Sequence, residues 1–401
     1  MTSMGSQRAT ATAGADDAPE LSVVVPCLNE EDTLATCLET ARRTLSANGI
    51  RGEIVVADNG STDGSRAIAE RFGARVVDVA QRGYGAALMG GIAASRGRYV
   101  VMGDADASYD FGEIPRFLAE LRRGAELVQG CRLSSGGGKV MPGAMPFLHR
   151  WLGNPLFSWL ARRWFHAPIH DIHCGMRGFT KDLYESLDQR CTGMEFASEM
   201  IIKSTLRGAR ITEVPITLYP DARRAHAPHL RTFRDGWRHL RFFLLFSPRW
   251  LFLVPGFLLV GLGLLGFAVA MPRLGIGRIV FDVHTLLFAS LAIIAGYQSV
   301  IFAVLTKVFA VSERLLPDDP RLNRLFLAVN LEKGLIAGGF AALIGLGLLA
   351  AAVNQWRLAR FGALDVDHTM RWVIPGMTLT TLGFQTILFS FFLSILGLRR
   401  R

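Results

Sequence analysis

Leu21-Ser22-Val23-Val24-Val25-Pro26-Cys27-Leu28-Asn29-Glu30-Glu31, residues 21–31, is the stretch whose reading decides the fold. Its first half is almost unbroken Val and Leu, as expected of a strand covered on both faces in a parallel sheet. Its second half turns abruptly polar. Beyond it Leu34, Leu38, Ala41 and Leu45 fall on one stripe, which predicts a helix halted near Gly49. Further short apolar runs follow at 53–58, 74–79, 98–103, 125–130 and 210–216, with helical patterns between them. That alternation predicts an α/β domain with a doubly wound, mainly parallel sheet. Ligands of such sheets sit beyond the carboxyl ends of the strands, so the polar residues after each run are where chemistry is expected.

After the first run come Asn29, Glu30, Glu31 and Asp32. Asn29 is placed to cap the next helix and the acids to meet its positive end. After the second come Asp58-Asn59-Gly60-Ser61-Thr62-Asp63-Gly64. Here Asp58 can accept hydrogen bonds from a base or a ribose. Asn59-Gly60-Ser61 also matches a glycosylation acceptor, which a cytosolic location makes accidental. Gly83-Tyr84-Gly85 follows the third run, where a Gly-x-Gly turn opening a helix suits a phosphate. It is neither after the first strand nor followed by a third glycine, so a dinucleotide fingerprint is rejected. The fourth run ends in Gly103-Asp104-Ala105-Asp106. Two carboxylates one residue apart at a strand end suit a ribose and a hard divalent cation, Mg²⁺ or Mn²⁺, shared with substrate phosphates.

Outward from this core the chain changes character. Of 401 residues, 50% are hydrophobic and the net charge is +10. The acids lie mostly within 20–240, whereas 250–398 is dominated by apolar runs. Four of these, about 250–271, 281–305, 334–353 and 373–397, approach the roughly 20 apolar residues needed to cross a bilayer. His284 lies near an end of the second. Residues 230–249 predict an amphipathic helix in the headgroup plane, with Leu230, Phe233, Trp237, Leu240 and Leu244 on one stripe and Arg231, Arg234, Arg238 and Arg241 on another. The segment 139–169 mixes Trp and Arg, which suits either a membrane interface or a helical cover for the sheet. Residues 1–19 read as a disordered tail, and 20–229 as the α/β domain. Lys307, Arg314, Arg321, Arg324 and Lys333 between the middle spans, with Arg399 to Arg401 at the end, outnumber Arg273, Arg278, Arg357, Arg360 and Arg371 on the other side and, with the basic stripe before residue 250, put the α/β domain on the cytosolic side. Membrane-edge arginines account for the positive charge more simply than nucleic acid, which is not expected as a partner. Five cysteines, odd in number and without a C-x-x-C, read as reduced thiols. No internal repeat is evident.

The runs V-V-V-P-C-L-N-E-E, D-N-G-S-T-D-G and D-A-D together resemble a family 2 glycosyltransferase domain. Gly130-Cys131-Arg132, Asp171-Ile172-His173-Cys174-Gly175-Met176-Arg177, Glu195-Phe196-x-x-Glu199 and Glu213-Val214-Pro215-Ile216 are similar to segments of its polyisoprenyl-phosphate sugar transferases, among them dolichyl-phosphate mannose and glucose synthases. The resemblance covers about residues 20–235. It implies a GT-A fold and inverting transfer of a hexose from a nucleotide-sugar, of GDP-mannose or UDP-glucose type, to a polyisoprenyl phosphate. It implies donor contacts at Pro26, Leu28, Asn29, Glu30, Asp58, Asn59, Ser61, Gly83, Gly85, Asp104, Ala105 and Asp106, with the cation on Asp104 and Asp106. Arg132, Arg177, Arg224 and His229 are the expected acceptor-phosphate contacts. His229 stands about where relatives carry a Lys, and Ser108 where some carry a Gln. The partners implied are membrane lipids and the two substrates, with homo-oligomer contacts open, in a bacterial plasma membrane. Three rivals remain: a processive polysaccharide synthase, though neither Arg163-Trp164 nor Arg249-Trp250 has a Gln three residues before its Arg; transfer to a lipid hydroxyl with Asp171 as base; and an inactive membrane scaffold.

Overall fold

In the computed structural model, residues 18–223, 232–313, 316 and 331–398 are described. The chain divides into two compact units, one up to Phe243 and one from Leu244.

The first unit is built on seven strands: β1 (Leu21–Cys27), β2 (Gly52–Asp58), β3 (Arg75–Asp78), β4 (Tyr99–Met102), β5 (Leu127–Cys131), β7 (Arg177–Thr180) and β8 (Ile211–Pro215). Their order is β3-β2-β1-β4-β7-β5-β8. All neighbours pair parallel except at β7, which runs antiparallel to β4 and β5. A small ladder of β6 (Lys139–Val140) and β9 (Thr217–Leu218) lies beside it. Val23, Val24 and Val25 of β1 and every residue of β4 are buried, which is why these strands carry no polar alternation.

Helix α1 (Leu34–Ala47) buries Leu34, Leu38, Ala41 and Leu45, the stripe read from the sequence, and Gly49 follows in the left-handed region with φ 59°. Each fully buried Leu stabilises the unit by about 1.5–3 kcal/mol. The cap differs from expectation. Thr33, not Asn29, precedes the helix, and no acidic residue lies in its first turn. Asn29 sits in a left-handed turn, φ 58°, and uses its side chain elsewhere. The remaining helices of the unit are α2 (Ser65–Arg71), α3 (Tyr84–Ala94), α4 (Ile114–Arg122), α5 (Asn154–Leu160), α6 (Lys181–Leu187) and α7 (Phe196–Leu206).

Residues 149–165 form one helical segment around α5, with wider turns at both ends. It is both a cover and an exposed apolar face. Ser158, Leu160, Ala161 and Phe165 point inward, while Phe147 is 74% exposed and Trp151 64%. Helix α8 (Thr232–Leu245) follows. His239 and Phe243, neighbours across one turn, are buried: Phe243 meets Phe157, Trp164 and Phe165, and the His239 ring lies 4.4 Å from that of His173. A face outside both stripes read from the sequence therefore packs on the α/β core, and Trp237 on the expected apolar stripe is exposed.

Among the described residues the second unit holds four helices long and apolar enough to cross a membrane: Arg249–Ala270, Val283–Ser312, Leu331–Leu358 and Val366–Leu396. Within it, glycines let helix backbones touch. A Cβ on Gly263 would meet the Ala289 carbonyl at 2.6 Å, and one on Gly383 the Gly338 carbonyl at 2.5 Å. Small residues at such crossings are how helices pack where lipid removes the hydrophobic drive between them. His284 is exposed beside Asp282 at the start of the second helix, which fits the reading of a span-end residue.

Candidate functional site

The carboxyl ends of β1, β2 and β4 meet at one edge of the sheet. Cys27 pairs with Asp58 across β1 and β2, and Val24 with Met102 across β1 and β4, so the Asp104-Ala105-Asp106 turn lies just past that edge. The polar loops there are stapled together. Asn29 Oδ1 accepts from the Thr62 amide at 2.8 Å, the Asn29 amide donates to Ser61 Oγ at 3.0 Å, and the Glu30 amide donates to Ser65 Oγ at 2.8 Å. Asp58 is buried and accepts from the Ser61 amide at 3.1 Å and from Arg66 at 3.1 Å. Asn59 bridges to Val79 and Gln81 carbonyls and receives the Gly83 amide at 2.8 Å. Pro26, Asn29, Glu30, Asp58, Asn59 and Ser61 thus come together, with Leu28 in the same turn.

The two aspartates differ. Asp104 is held by the Tyr84 hydroxyl, which donates to its Oδ1 at 2.8 Å. Gly175 presses close from the other side, where a Cβ would stand 2.6 Å from Asp104 Oδ2. Burial pushes the Asp104 carboxyl up to about 7, and the Asp106 charge adds to the rise. Asp106 Oδ1 accepts from the Ser108 amide and hydroxyl at 2.9 and 2.6 Å. Its Oδ2 faces the Arg223 guanidinium at 3.4 Å, and Arg223 also reaches Glu30 at 3.1 Å. Just past the pair Ala107 is left-handed, φ 59°, a conformation that an alanine adopts at a cost of about 1–2 kcal/mol. The oxygens that an oxygen-liganded cation such as Mg²⁺ or Mn²⁺ would use are those of Asp104 and Asp106 Oδ2, the latter now facing Arg223. Among the described residues no cluster of three or more His, Cys, Asp or Glu side chains completes such a site, so substrate phosphates would have to supply the remaining ligands.

Several expected contacts lie elsewhere. The Gly83-Tyr84-Gly85 turn packs closely on the 191–193 segment. Cβ atoms on Gly83 and Gly85 would collide with the Thr192 and Cys191 carbonyls at 2.3 and 2.4 Å, and the Ala86 amide donates to the Thr192 carbonyl. These glycines therefore serve close packing at the start of α3, while Gly83 and Tyr84 stay half-buried. Arg177 is fully buried and gives its donors to the Cys174, Ile172 and Ala197 carbonyls. It faces the loop before β7, not the cleft, and is corrected from phosphate clamp to loop support. Replacing Arg177 by methionine should strand those carbonyls at about 1–3 kcal/mol each, read as a large fall in thermal midpoint. A midpoint within a degree or two of the parent protein would contradict the assignment.

Arg132 pairs with Asp171. Its Nε and Nη2 donate to the two Asp171 oxygens at 2.7 and 2.9 Å, and its Nη1 to the Tyr109 hydroxyl at 3.3 Å. Asp171 is fully buried. With both oxygens engaged by Arg132 and no exposed surface, Asp171 is not placed to meet an acceptor hydroxyl. Arg224 and His229 lie outside the described residues. Reading the sequence missed Tyr84, Tyr109 and Arg223. Tyr84 sits inside a run read for its glycines, Tyr109 lies past the Asp-x-Asp motif with no signal of its own, and Arg223 differs from its neighbour Arg224 by nothing local.

A sheet of this order, with one antiparallel strand between β4 and β5 and an Asp-x-Asp turn at its carboxyl edge, defines a GT-A glycosyltransferase. The profile described as "Glycosyl transferase family 2" matches residues 22–188, and "Glycosyltransferase family 2 C-terminal transmembrane region" matches 304–397. The chain is 38% identical over 387 residues to the low-salt glycan biosynthesis hexosyltransferase Agl6 of Haloferax volcanii, covering 96% of this chain and 91% of that one. It is 33% identical over 218 residues to a dolichyl-phosphate hexose transferase of the same organism, covering 54% of this chain and 89% of that one. Among solved structures it resembles glucosyl-3-phosphoglycerate synthase of Mycobacterium tuberculosis, at 24% identity and TM-score 0.46 over 56% of this chain and 79% of that chain. The chain belongs to glycosyltransferase family 2. It is a glycosyltransferase and an integral membrane protein.

Proposed function

We propose that this enzyme transfers a hexose, with inversion at C1, from a nucleotide-sugar to a polyisoprenyl phosphate at the cytosolic face of its membrane, with a divalent cation on Asp106 and Asp104. The observation that carries this reading is the aspartate pair itself, gathered with Asp58 and Asn29 at the carboxyl edge of the sheet. The names of the two Haloferax relatives, a hexosyltransferase and a dolichyl-phosphate hexose transferase, support the hexose and the lipid phosphate. Excess Lys and Arg between the middle spans supports the cytosolic side.

The residues suit this chemistry. A phosphate monoester with a second pKa near 6 is largely dianionic at neutral pH and is already a nucleophile, so a buried, paired Asp171 is no obstacle. Asp58 and the stapled loops at 26–31 and 58–65 orient base and ribose. A cation on the pair supplies Lewis-acid neutralisation of the leaving diphosphate. Arg132 is the remaining acceptor-phosphate contact, through N–H groups that Asp171 and Tyr109 do not take.

The test uses detergent-purified full-length protein, polyprenyl phosphate and labelled GDP-mannose or UDP-glucose. Label should enter acid-labile lipid with Mg²⁺ or Mn²⁺, stop with EDTA, and return when metal is restored. No lipid product with any donor would overturn the reading. The exposed face at 147–159 supports a lipid-side role for that helix, because residues 139–169 carry Arg, Lys and His but no acid. Trp151→Ala with Trp159→Ala should raise KM for the lipid acceptor several-fold and leave KM for the donor unchanged. Equal shifts in both would remove the lipid role.

A further inference from the structure

Arg223 stands at the end of a segment laid along the Asp-x-Asp turn. The Tyr219 amide donates to the Ser108 carbonyl at 3.0 Å, and the Ala222 amide to the Asp106 carbonyl at 3.2 Å. Asp221 then fixes the side chain: its Oδ1 accepts from the Arg223 amide and Nε, both at 2.9 Å, and its Oδ2 binds Nη2. The fork that results spans three carboxylates, Asp221, Glu30 at 3.1 Å and Asp106 at 3.4 Å. The Arg223 side chain is only 11% exposed and that of Asp106 15%. Because Ser108 occupies Asp106 Oδ1, the oxygen that meets Arg223 is the one left to face a cation.

We infer that Arg223 is a built-in counter-cation of the metal carboxylate, held by Asp221 against Asp106, and that a divalent ion must displace it to bind. The inference rests on Asp106 as the cation ligand. Two positive groups cannot share one carboxylate oxygen at contact distance without repulsion that a partly buried site screens weakly. Free metal therefore competes with a tethered guanidinium. A metal arriving already on a nucleotide diphosphate brings negative charge that compensates the displaced arginine, so the latch favours the metal–donor complex over the bare ion. Asp221 is a positioning residue here, acting through Arg223.

Mn²⁺ binding to the purified full-length protein, without nucleotide, tests this by electron paramagnetic resonance of the free ion. Arg223→Gln should tighten Mn²⁺ about fivefold, the effect of losing roughly one competing ion pair. Asp221→Asn discriminates further. It removes a negative charge near the site, so simple electrostatics expects weaker Mn²⁺ binding, whereas release of the latch expects binding a few-fold tighter. Weaker or unchanged affinity in Asp221→Asn overturns the latch, as does unchanged affinity in Arg223→Gln with a parent-like thermal midpoint. If Arg223→Gln fails to fold, Asp221→Asn alone decides. Asp106→Asn separates this from the metal assignment: parent-like Mn²⁺ binding there removes Asp106 as a ligand and the latch with it, whereas lost binding there together with an unchanged Asp221→Asn removes the latch only.

Discussion

Asp106→Asn should lower turnover by about 10²–10³ while the protein still folds. The magnitude is that of removing one preorganised electrostatic stabiliser, roughly 2.7–4 kcal/mol of transition-state energy. The variant is close in shape and its change is local. Asparagine keeps an oxygen that can accept from the Ser108 amide and hydroxyl, which now bond Asp106 Oδ1. What it loses is the charge at the oxygen facing Arg223 and the cleft. The loss should fall on kcat more than on donor KM, because the diphosphate gains charge as the sugar leaves and the cation matters most at that moment. Asp104→Asn makes a useful contrast. Asp104 already accepts from Tyr84, and burial holds its proton up to about 7, so neutralising it should cost less. Turnover of Asp106→Asn above a tenth of the parent, at saturating donor and Mn²⁺, would show that the departing nucleotide is neutralised by something other than this aspartate.

How far the sequence carried the reading depends on which signals are local. The six runs became β1, β2, β3, β4, β5 and β8; β1, β4 and β5 are mainly apolar because both faces are covered, whereas the edge strands β3 and β8 are half-buried and carry Arg75, Asp78, Thr212 and Glu213 among their apolar residues. The seventh, β7, has four residues, Arg177-Gly178-Phe179-Thr180. It carries a buried arginine and a glycine beneath Phe117 and Leu121, where a Cβ would sit 3.2 Å from Leu121 Cδ1. No propensity marks such a strand; two neighbours pairing on either side make it one. The same distinction separates the site residues. Asp58, Asp104 and Asp106 were legible because a strand end is a place in the sequence as well as in space. The partners of Arg132, Arg177 and Arg223 were not, since three arginines of one composition meet the Asp171 carboxylate, a set of carbonyls and the Asp106, Asp221 and Glu30 carboxylates. Only the fold assigns those partners. Gly83 and Gly85 show a related limit: glycine permits close approach, but the sequence does not say that the Thr192 and Cys191 carbonyls will be among what approaches.

Asp171→Asn should be the most destabilising conservative change in the α/β unit, by about 3–5 kcal/mol. Asp171 has no exposed surface, and its oxygens receive the Arg132 amide, Nε and Nη2 at 3.0, 2.7 and 2.9 Å. Removing its charge leaves the guanidinium, in a site only 8% exposed, without the carboxylate that binds it. For a unit of this size each kcal/mol moves the midpoint about 2–4 °C, so a fall of roughly 6–20 °C is expected on these coefficients. Arg132→Gln combined with Asp171→Asn removes both charges and should recover part of the loss, a non-additivity that contacting residues show and independent ones do not. That double variant then separates two roles that one arginine combines. If Arg132 only braces Asp171 and Tyr109, restoring the fold should restore transfer. If it also meets the acceptor phosphate, the refolded double variant should still need far more lipid phosphate to reach half-maximal rate, with donor KM unmoved. A single Asp171→Asn protein that melts within two degrees of the parent would mean that Arg132 is balanced by another group, and the pair could not then be what holds the loop before β7 against β5.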